Sequence, residues 1–338
     1  MNETSLTKTE LLKNSDLDSI MTITEDLAGQ RIDKVLGELS PNMSRSSIQQ
    51  WIKSGNVLVN NKSVKQTYKL QINDIIETNI PEIQPDVIDQ YAAEDISIEV
   101  VYQDDDIIVI NKPAGLVVHP GAGNTSGTLM NGILFHWPDN QHLPRAGIVH
   151  RLDKDTSGLM VVAKNENARL HVIEQLSDRT LSREYLAICL GSLISGATIK
   201  RPIRRDHHDR RKMAVCKSHE GGGKEAITHY RVEERFRKHT LVRVKLETGR
   251  THQIRVHMTS DDFPLVGDPV YGKRLVLPKG CDLSLAEMLR NFKRQALHAT
   301  RLALIHPVTN QQLEWSVDLP NDMQHLVNNL REDFIKNQ

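Results

Sequence analysis

Hydrophobic side chains recur along this chain with two different periods, and the change from one to the other falls near residue 96. Before it the period is helical. Ile32, Val35, Leu36 and Leu39 stand at i, i+3, i+4 and i+7, which puts them on one apolar helix face. Pro41-Asn42 breaks that helix. Ser44 is placed to cap a second one, which carries Ile48, Trp51 and Ile52 inward and ends at Gly55. Val57 and Val59 then alternate into an Asn60-Asn61-Lys62 turn, and Val64 leads a return strand. Residues 1–21 have few apolar side chains to bury and read as a disordered tail. Residues 81–95, with Pro81, Pro85 and scattered acids, lack periodicity and read as an extended acidic linker.

From Ile96 the pattern is that of strands. IEVVY, DIIVI, GLVV, GLMVVA, EYLAICL, ITHYRVEE, TLVRVKLE, ATRLALI and LEWSV are short runs rich in Val, Ile and Leu, divided by turn residues. Helices are expected over 166–177, where Leu170, Ile173 and Leu176 recur, and over 321–335. Strands far outnumber helices. The expectation over 96–338 is therefore an α+β domain on a mixed, mostly antiparallel sheet with flanking helices, not a doubly wound parallel one.

Composition narrows the class. A chain of 338 residues fits two domains, and 38% hydrophobic with 25% charged residues is a soluble, globular balance. No apolar run approaches ~18 residues, so no membrane span is expected. The polar, acidic opening segment is unlike a secretory or transit peptide. Cys189, Cys216 and Cys281 are odd in number and far apart, which suggests reduced thiols and a cytoplasmic protein. No Cys-x-x-Cys or His-Glu-x-x-His spacing marks a metal site, so none is expected.

Charge changes the picture more. The chain carries 43 Lys plus Arg against 43 Asp plus Glu, a balance that argues against a nucleic-acid binder. The total conceals −9 over residues 81–106 and +10 over 107–338. The strongest block is 200–217, with eight Lys/Arg against two Asp. It reads as a loop between strand ends, with Arg204, Arg205, Arg210, Arg211 and Lys212 as candidate phosphate contacts. On the second N-terminal helix Arg45, Gln49 and Lys53 share a side. For one helix in isolation that is a solvated face. Helix, helix and hairpin in this order resemble the alpha-L RNA-binding motif of the ribosomal-protein S-four type over residues 22–80. That resemblance makes Arg45 and Lys53 candidate RNA contacts.

The densest chemistry lies in Gly147-Ile-Val-His-Arg-Leu-Asp-Lys-Asp-Thr-Ser-Gly158. Asp153, Asp155, Ser157 and Gly158 match the opening of a calcium-binding helix-loop-helix loop, but position twelve is Lys164 where a bidentate Glu is required. Asp-x-Asp after an apolar run resembles the aspartyl nucleophile of haloacid-dehalogenase-type phosphatases. There the run should be uninterrupted, and His150 and Arg151 interrupt it. No G-x-x-x-x-G-K-[ST] phosphate loop is present.

A third reading accounts for more of the chain. HRLDKDTSGLMVVAK, the Tyr of SREYLA, LETGRTHQIRVHM and FPLVGDPVYG follow one another in the order found in the RluA-type pseudouridine synthases, which the sequence closely resembles over about residues 22–330. INKPAG, with Lys112 and Pro113, and His119-Pro120-Gly121 match a further block of that family. A plain β-turn explains those side chains equally well.

The resemblance implies an isomerase that breaks the C1′–N1 glycosidic bond of a uridine and rejoins the sugar to C5 of the same base. No redox change or outside energy source enters, so no cofactor is expected. It assigns the essential carboxylate to Asp153. A carboxylate enclosed by a bound base needs a cation beside it to stay ionised. The family supplies that cation as Arg255. Thr251 is placed to cap a short helix carrying Gln253, Arg255 and His257. Arg255 could instead clamp phosphate at that helix start, and Arg250 stands near enough for the two to divide the roles. Tyr185 matches the family's active-site tyrosine. A uridine within a stem must be flipped out of its stack to react, and Arg151 matches the residue that fills the vacated space. His150 is either an RNA contact or a packing residue. The implied substrate is large-subunit (23S) ribosomal RNA, free or in the pre-ribosomal large subunit, at the helix-69 stem-loop, acted on by a monomer. The competing class is a non-catalytic rRNA-binding or ribosome assembly factor, which would not need Asp153, Tyr185 and Arg255 together.

Overall fold

The computed structural model describes residues 20–39, 45–79, 92–121, 123–209, 211–216 and 222–338. The chain divides into two compact units, residues 1–87 and 88–338. Ser44, the tail over residues 1–19 and most of the acidic linker lie outside the described residues.

In the first unit, strands β1 (Ile20–Thr22), β2 (Val57–Val59), β3 (Lys62–Ser63) and β4 (Ile75–Thr78) form a sheet in the order β1-β4-β2-β3. Helices α1 (Ile32–Leu39) and α2 (Arg45–Ser54) bury Ile32, Val35, Leu36, Ile48 and Ile52 with Val57, Val59 and Ile76 of the strands. Three expectations need correction. Ile20 and Met21 belong to β1, not to a tail. The return strand is the two residues before Val64, because left-handed Asn60 and Asn61 make a two-residue turn. The longer partner of β2 is β4, whose apolar signal is only Ile75-Ile76 between Asp74 and Glu77.

The second unit is built on a nine-stranded sheet: β5 (Glu99–Gln103), β6 (Ile107–Lys112), β7 (Ser157–Ala163), β8 (Ser182–Leu190), β9 (Ala197–Lys200), β12 (Ile227–Arg235), β13 (His239–Leu246), β14 (Leu297–Ile305) and β15 (Gln312–Ser316). Between β9 and β12 the chain makes a separate hairpin, β10 (Ile203–Arg205) and β11 (Met213–Val215). The main order is β5-β6-β7-β14-β8-β13-β12-β9, with β15 also on β14. Every pairing is antiparallel except β7 with β14. The α+β class expected from the sequence holds.

Helices α3 (Leu129–His136), α4 (Glu166–Ser177), α5 (Gln253–Ser260), α6 (Leu283–Asn291) and α7 (Asn321–Lys336) flank the sheet. Residues 107–110 are wholly buried because successive side chains pack on opposite faces: Ile108 and Ile110 with α3, Ile107 and Val109 with α4. None of the described helices is long and apolar enough to cross a membrane.

Four further corrections bear on how this unit is built. GLVV is not a strand; Val117 makes only an isolated bridge to Thr128. On α4 the inward residues are Ala168, Val172 and Gln175, while Leu170 and Ile173 are 48% and 38% exposed. The amide of Gln175 explains this rotation: it donates to Ile305 O (2.7 Å) and accepts from Ile305 N–H (2.8 Å), closing the end of β14. The basic segment is the β10–β11 hairpin and not an irregular loop. The acidic linker ends short of residue 95, since Ala92 O accepts from Asn131 Nδ2 (2.7 Å) and Glu94 accepts from Gly127 N–H (3.0 Å).

Candidate active site

The conspicuous loop enters β7 under tight control. Arg145, Ala146 and Gly147 are three successive left-handed residues (φ 55°, 52° and 76°), a costly turn for the first two. Beyond it, His150 Nε2 accepts from Val161 N–H at 3.0 Å. Burial pushes its pKa down to about 3, so the ring is neutral and its accepting nitrogen pins the loop to β7. That nitrogen is thus engaged within the fold, while the residue also lines the cavity around Asp153.

Asp153 follows on a backbone whose carbonyls are all engaged. Asp153 O accepts from Thr156 N–H (3.1 Å), and Lys154 O from Lys112 Nζ and Gly115 N–H (2.9 Å each). Asp155 O accepts from Arg294 Nη1 (3.2 Å). Lys112 is 1% exposed, and its other two ammonium hydrogens go to Pro113 O (2.8 Å) and Leu116 O (2.9 Å). The loop is therefore held by its main chain, which leaves the Asp153 carboxylate free to face outward.

Arg255 meets that carboxylate from α5. His252, the residue before the helix, is left-handed (φ 56°) and makes no side-chain cap, so Thr251 is not the cap expected. Gln253 does the work instead: its Oε1 accepts from Arg250 N–H (2.9 Å) and from Thr248 (2.8 Å). Arg255 Nη1 reaches Asp153 Oδ2 at 2.9 Å, while its Nε and Nη2 form a fork onto Asp268 at 2.7 and 2.9 Å. The Asp268 side chain has no exposed surface and also accepts from Val270 and Tyr271 N–H (2.9 Å each). Burial works against its charge, but the bonds from Arg255 outweigh it and hold its pKa below the usual carboxylate range. Arg255 is thus gripped from behind by one acid and presented to another.

Two more groups complete the surroundings of Asp153. His252 Nε2 lies 3.8 Å from Asp153 Oδ1, and its Nδ1 is 2.8 Å from Tyr271 Oη. That hydroxyl accepts from Met213 N–H of β11 at 2.7 Å and shares a hydrogen bond with His252 Nδ1, tying the hairpin to the histidine beside Asp153. Burial pushes His252 down and Tyr271 up to about 12.

Asp153, His252 and Arg255 line a cavity of about 610 Å³, with Asp268 and Tyr271 outside the lining. Of the expected residues it brings together Asp153, Tyr185, Arg255, Arg151, His150 and Arg250. Tyr185 is 6% exposed, and burial raises its hydroxyl pKa; Arg151 is exposed at the rim. The hairpin residues Arg204, Arg205, Arg211 and Lys212 are not in the lining, and Arg211 is paired with Asp209 at 3.0 Å. Their link to the cavity is the Met213–Tyr271 bond. Arg210 lies outside the described residues. Arg45 and Lys53 belong to α2 in the other unit. Sequence reasoning named neither Asp268, Tyr271, His252, Arg183 nor Arg145. Asp268 and Tyr271 stand inside FPLVGDPVYG, so the signal was present as a block without assigned roles.

Among the described residues one group could offer several metal ligands, Asp104, Asp106 and His306. Its atoms are already committed. His306 Nδ1 accepts from Val308 and Thr309 N–H (3.2 and 3.1 Å), so Nε2 bears the proton and donates to Asp104 Oδ2 at 2.9 Å. Tyr102 Oη donates to the same oxygen at 2.7 Å. The donor set suits a hydrogen-bonded brace between β6 and β14, not a cation.

One clamped carboxylate beside a buried tyrosine, in a cavity ringed by guanidiniums, defines an enzyme for an anionic substrate. The chain belongs to the RNA pseudouridylate synthase family. Residues 106–260 match that family, and residues 30–76 match the S4 domain. The chain is 49% identical over 312 residues to "Ribosomal large subunit pseudouridine synthase D" of Xanthomonas campestris pv. campestris, covering 92% of each chain. It is 48% identical to the protein of that name from Escherichia coli K12, covering 93% of this chain and 94% of that one. Among solved structures, "Human RNA Pseudouridylate Synthase Domain Containing 4" matches with a TM-score of 0.54 at 28% identity, over 69% of this chain and 93% of that one.

Proposed function

We propose that this enzyme converts uridines of large-subunit ribosomal RNA to pseudouridine, at the helix-69 stem-loop, with Asp153 as the essential carboxylate. The observation that carries the reading is the Asp153–Arg255–Asp268 chain, which sets a single carboxylate against a guanidinium in a cavity that can take a nucleotide. The name and the extensive similarity of the curated relatives support the substrate.

The target uridine leaves its stack, at a cost of a few kcal/mol, and enters beside Tyr185. Arg151, exposed at the rim, takes up the vacated space; a planar guanidinium can both stack on and hydrogen-bond the neighbouring bases. Asp153 then acts on the sugar, as nucleophile at C1′ or as base on the ribose. The C1′–N1 bond breaks, the uracil turns, and C1′–C5 forms. The hydrogen on C5 leaves as a proton, and N1 takes one up. Tyr185, kept protonated by its burial, packs on the base. Once the base covers the cavity, the Arg255 ion pair offsets the desolvation of Asp153. The S4-type unit, with Arg45 and Lys53, adds affinity for the RNA backbone.

Loss of the C5 hydrogen gives the test. rRNA carrying tritium at uridine C5 should release label into water with the intact enzyme and none with Asp153→Asn or Asp153→Ala. Unimpaired release from either variant would overturn the assignment of Asp153. No release from the intact enzyme, with RNA binding preserved, would favour the assembly-factor reading.

A further inference from the structure

Alternation along β8 puts Arg183 and Tyr185 on the cavity face and Glu184 on the other. The two charges of this strand fare differently. Glu184 pairs with Arg301 at 2.6 Å and Arg243 at 3.5 Å. Arg183 is 7% exposed, and among the described residues it has no hydrogen-bond or ion-pair partner; its Nε is buried without an acceptor. A guanidinium removed from water with no counter-charge is strongly unfavourable. A cavity wall is where a ligand can supply what the fold withholds.

Gly249 adds a second, independent sign that this position is built. It is absent from the left-handed glycines, so its backbone does not call for glycine. Space does. A Cβ at Gly249 would stand 2.7 Å from Arg183 Nη1. The missing side chain at Gly249 therefore makes room for the guanidinium itself, which lies against the backbone of the cavity wall.

The electrical balance of the cavity says what fits. Its one lining carboxylate, Asp153, is already matched by Arg255. Among the described residues Arg145 and Arg151 have no carboxylate partner, and the Arg250 side chain bonds only Glu225 O, at 2.9 Å. Uracil is neutral and cannot answer this excess; a phosphodiester can, and a planar fork is suited to its oxygens.

We propose that Arg183 seats a backbone phosphate flanking the uridine in the cavity, and that Gly249, by lacking a side chain, lets the guanidinium lie where it can do so. The proposal rests on the pseudouridylation reading of the same cavity. It makes Arg183 a substrate-binding residue that fixes the depth of the flipped nucleotide relative to Asp153.

The test replaces single phosphates of a synthetic helix-69 stem-loop by uncharged methylphosphonates, on either side of the target. Binding is read by fluorescence anisotropy. One replacement should weaken the wild type about 10- to 100-fold, yet change Arg183→Gln less than about twofold. The slope of log affinity against log salt should fall by about one in Arg183→Gln. Gly249→Ala, whose backbone needs no special conformation, should lose the same phosphate sensitivity, which keeps the test decisive if Arg183→Gln folds poorly. Arg183→Gln and Gly249→Ala each as sensitive as wild type, or a wild type indifferent to both flanking linkages, would overturn the proposal. Phosphate coupling without tritium release would refute the reaction and sustain the seat. Failure of the wild type to bind the stem-loop would refute both.

Discussion

Replacing Asp268 by asparagine keeps the shape of the side chain and removes the charge that grips Arg255 from behind. In the native protein Asp268 takes two guanidinium hydrogens at 2.7 and 2.9 Å, and one of its oxygens also accepts from Val270 and Tyr271 N–H. Asparagine has a single oxygen. If that oxygen stays with the backbone amides, an NH2 group faces Arg255 Nε, donor against donor. Each charge-assisted bond is worth about 1.5–3 kcal/mol, and breaking a buried pair by removing one partner costs about 3–5 kcal/mol. The two side chains are 5% and 0% exposed, so water cannot substitute. Relief by the remaining Asp153 contact brings the expected loss of unfolding free energy to about 3 kcal/mol. Catalysis should suffer more than binding. Asp268 does not line the cavity, so KM for the stem-loop should move less than about threefold. A displacement of the guanidinium near 1 Å should lower kcat about 100-fold. Tritium release at saturating RNA reads the loss of kcat, and urea unfolding reads the loss of stability. A kcat within about threefold of wild type, or a raised KM with unchanged kcat, would refute the view that Asp268 positions Arg255 for Asp153.

Other perturbations reach the supports of the site. Gly158→Ala should cost about 3 kcal/mol or more, because φ is +113° and the new Cβ would stand 2.2 Å from Ala299 O; an unchanged urea midpoint would contradict this. Tyr271→Phe removes the hydroxyl shared by Met213 N–H and His252 Nδ1. About 1–3 kcal/mol of stability should go with it, and the Met213 amide should exchange faster with solvent; unaltered exchange would dissociate the hairpin from the site. His239 and His298, 0% and 1% exposed, are each pushed by burial down to about 4. Their folded forms bind fewer protons than the unfolded chain between about pH 4 and 6.5, so stability falls as pH drops through that window, by about 2 kcal/mol each at pH 5. Unfolding at pH 7.5 and 5.0 measures it, and His239→Leu should reduce the difference by its share; equal stability of the wild type at both values would defeat the reading.

Local patterns carried much of the architecture. Residues 166–177 form a helix because Asn165 caps it, its side chain accepting from Ala168 N–H, a signal written within four residues. The orientation of that helix was not local: the apolar trio Leu170, Ile173 and Leu176 suggested one face, and a polar bond from Gln175 to Ile305, 130 residues on, selected another. Strand β4 escaped notice because two isoleucines between acids make too short an apolar signal. At the site, Asp153, Tyr185 and Arg255 were legible through motif order. Asp268 was not, since its task is set by a neighbour that only the fold brings within reach. Arg183 was hidden for a different reason. Beside Tyr185 in SREYLA it reads as an ordinary strand arginine, and only its missing partner distinguishes it.

The parallel pairing of β7 with β14, the one such pair among the described strands, has a consequence for how the enzyme comes into being. The loop that bears Asp153 is braced by Gln295 at Thr156 and by His298 at Ser157, contacts that span 139 and 141 residues. Arg255 reaches Asp153 across 102 residues. Closing such long loops is entropically slow compared with making hairpins. A nascent chain that has not yet delivered residues 295–305 therefore lacks the wall against which the catalytic loop is set. Activity in a refolding or translation time course should rise with the last strands, after most secondary structure has formed.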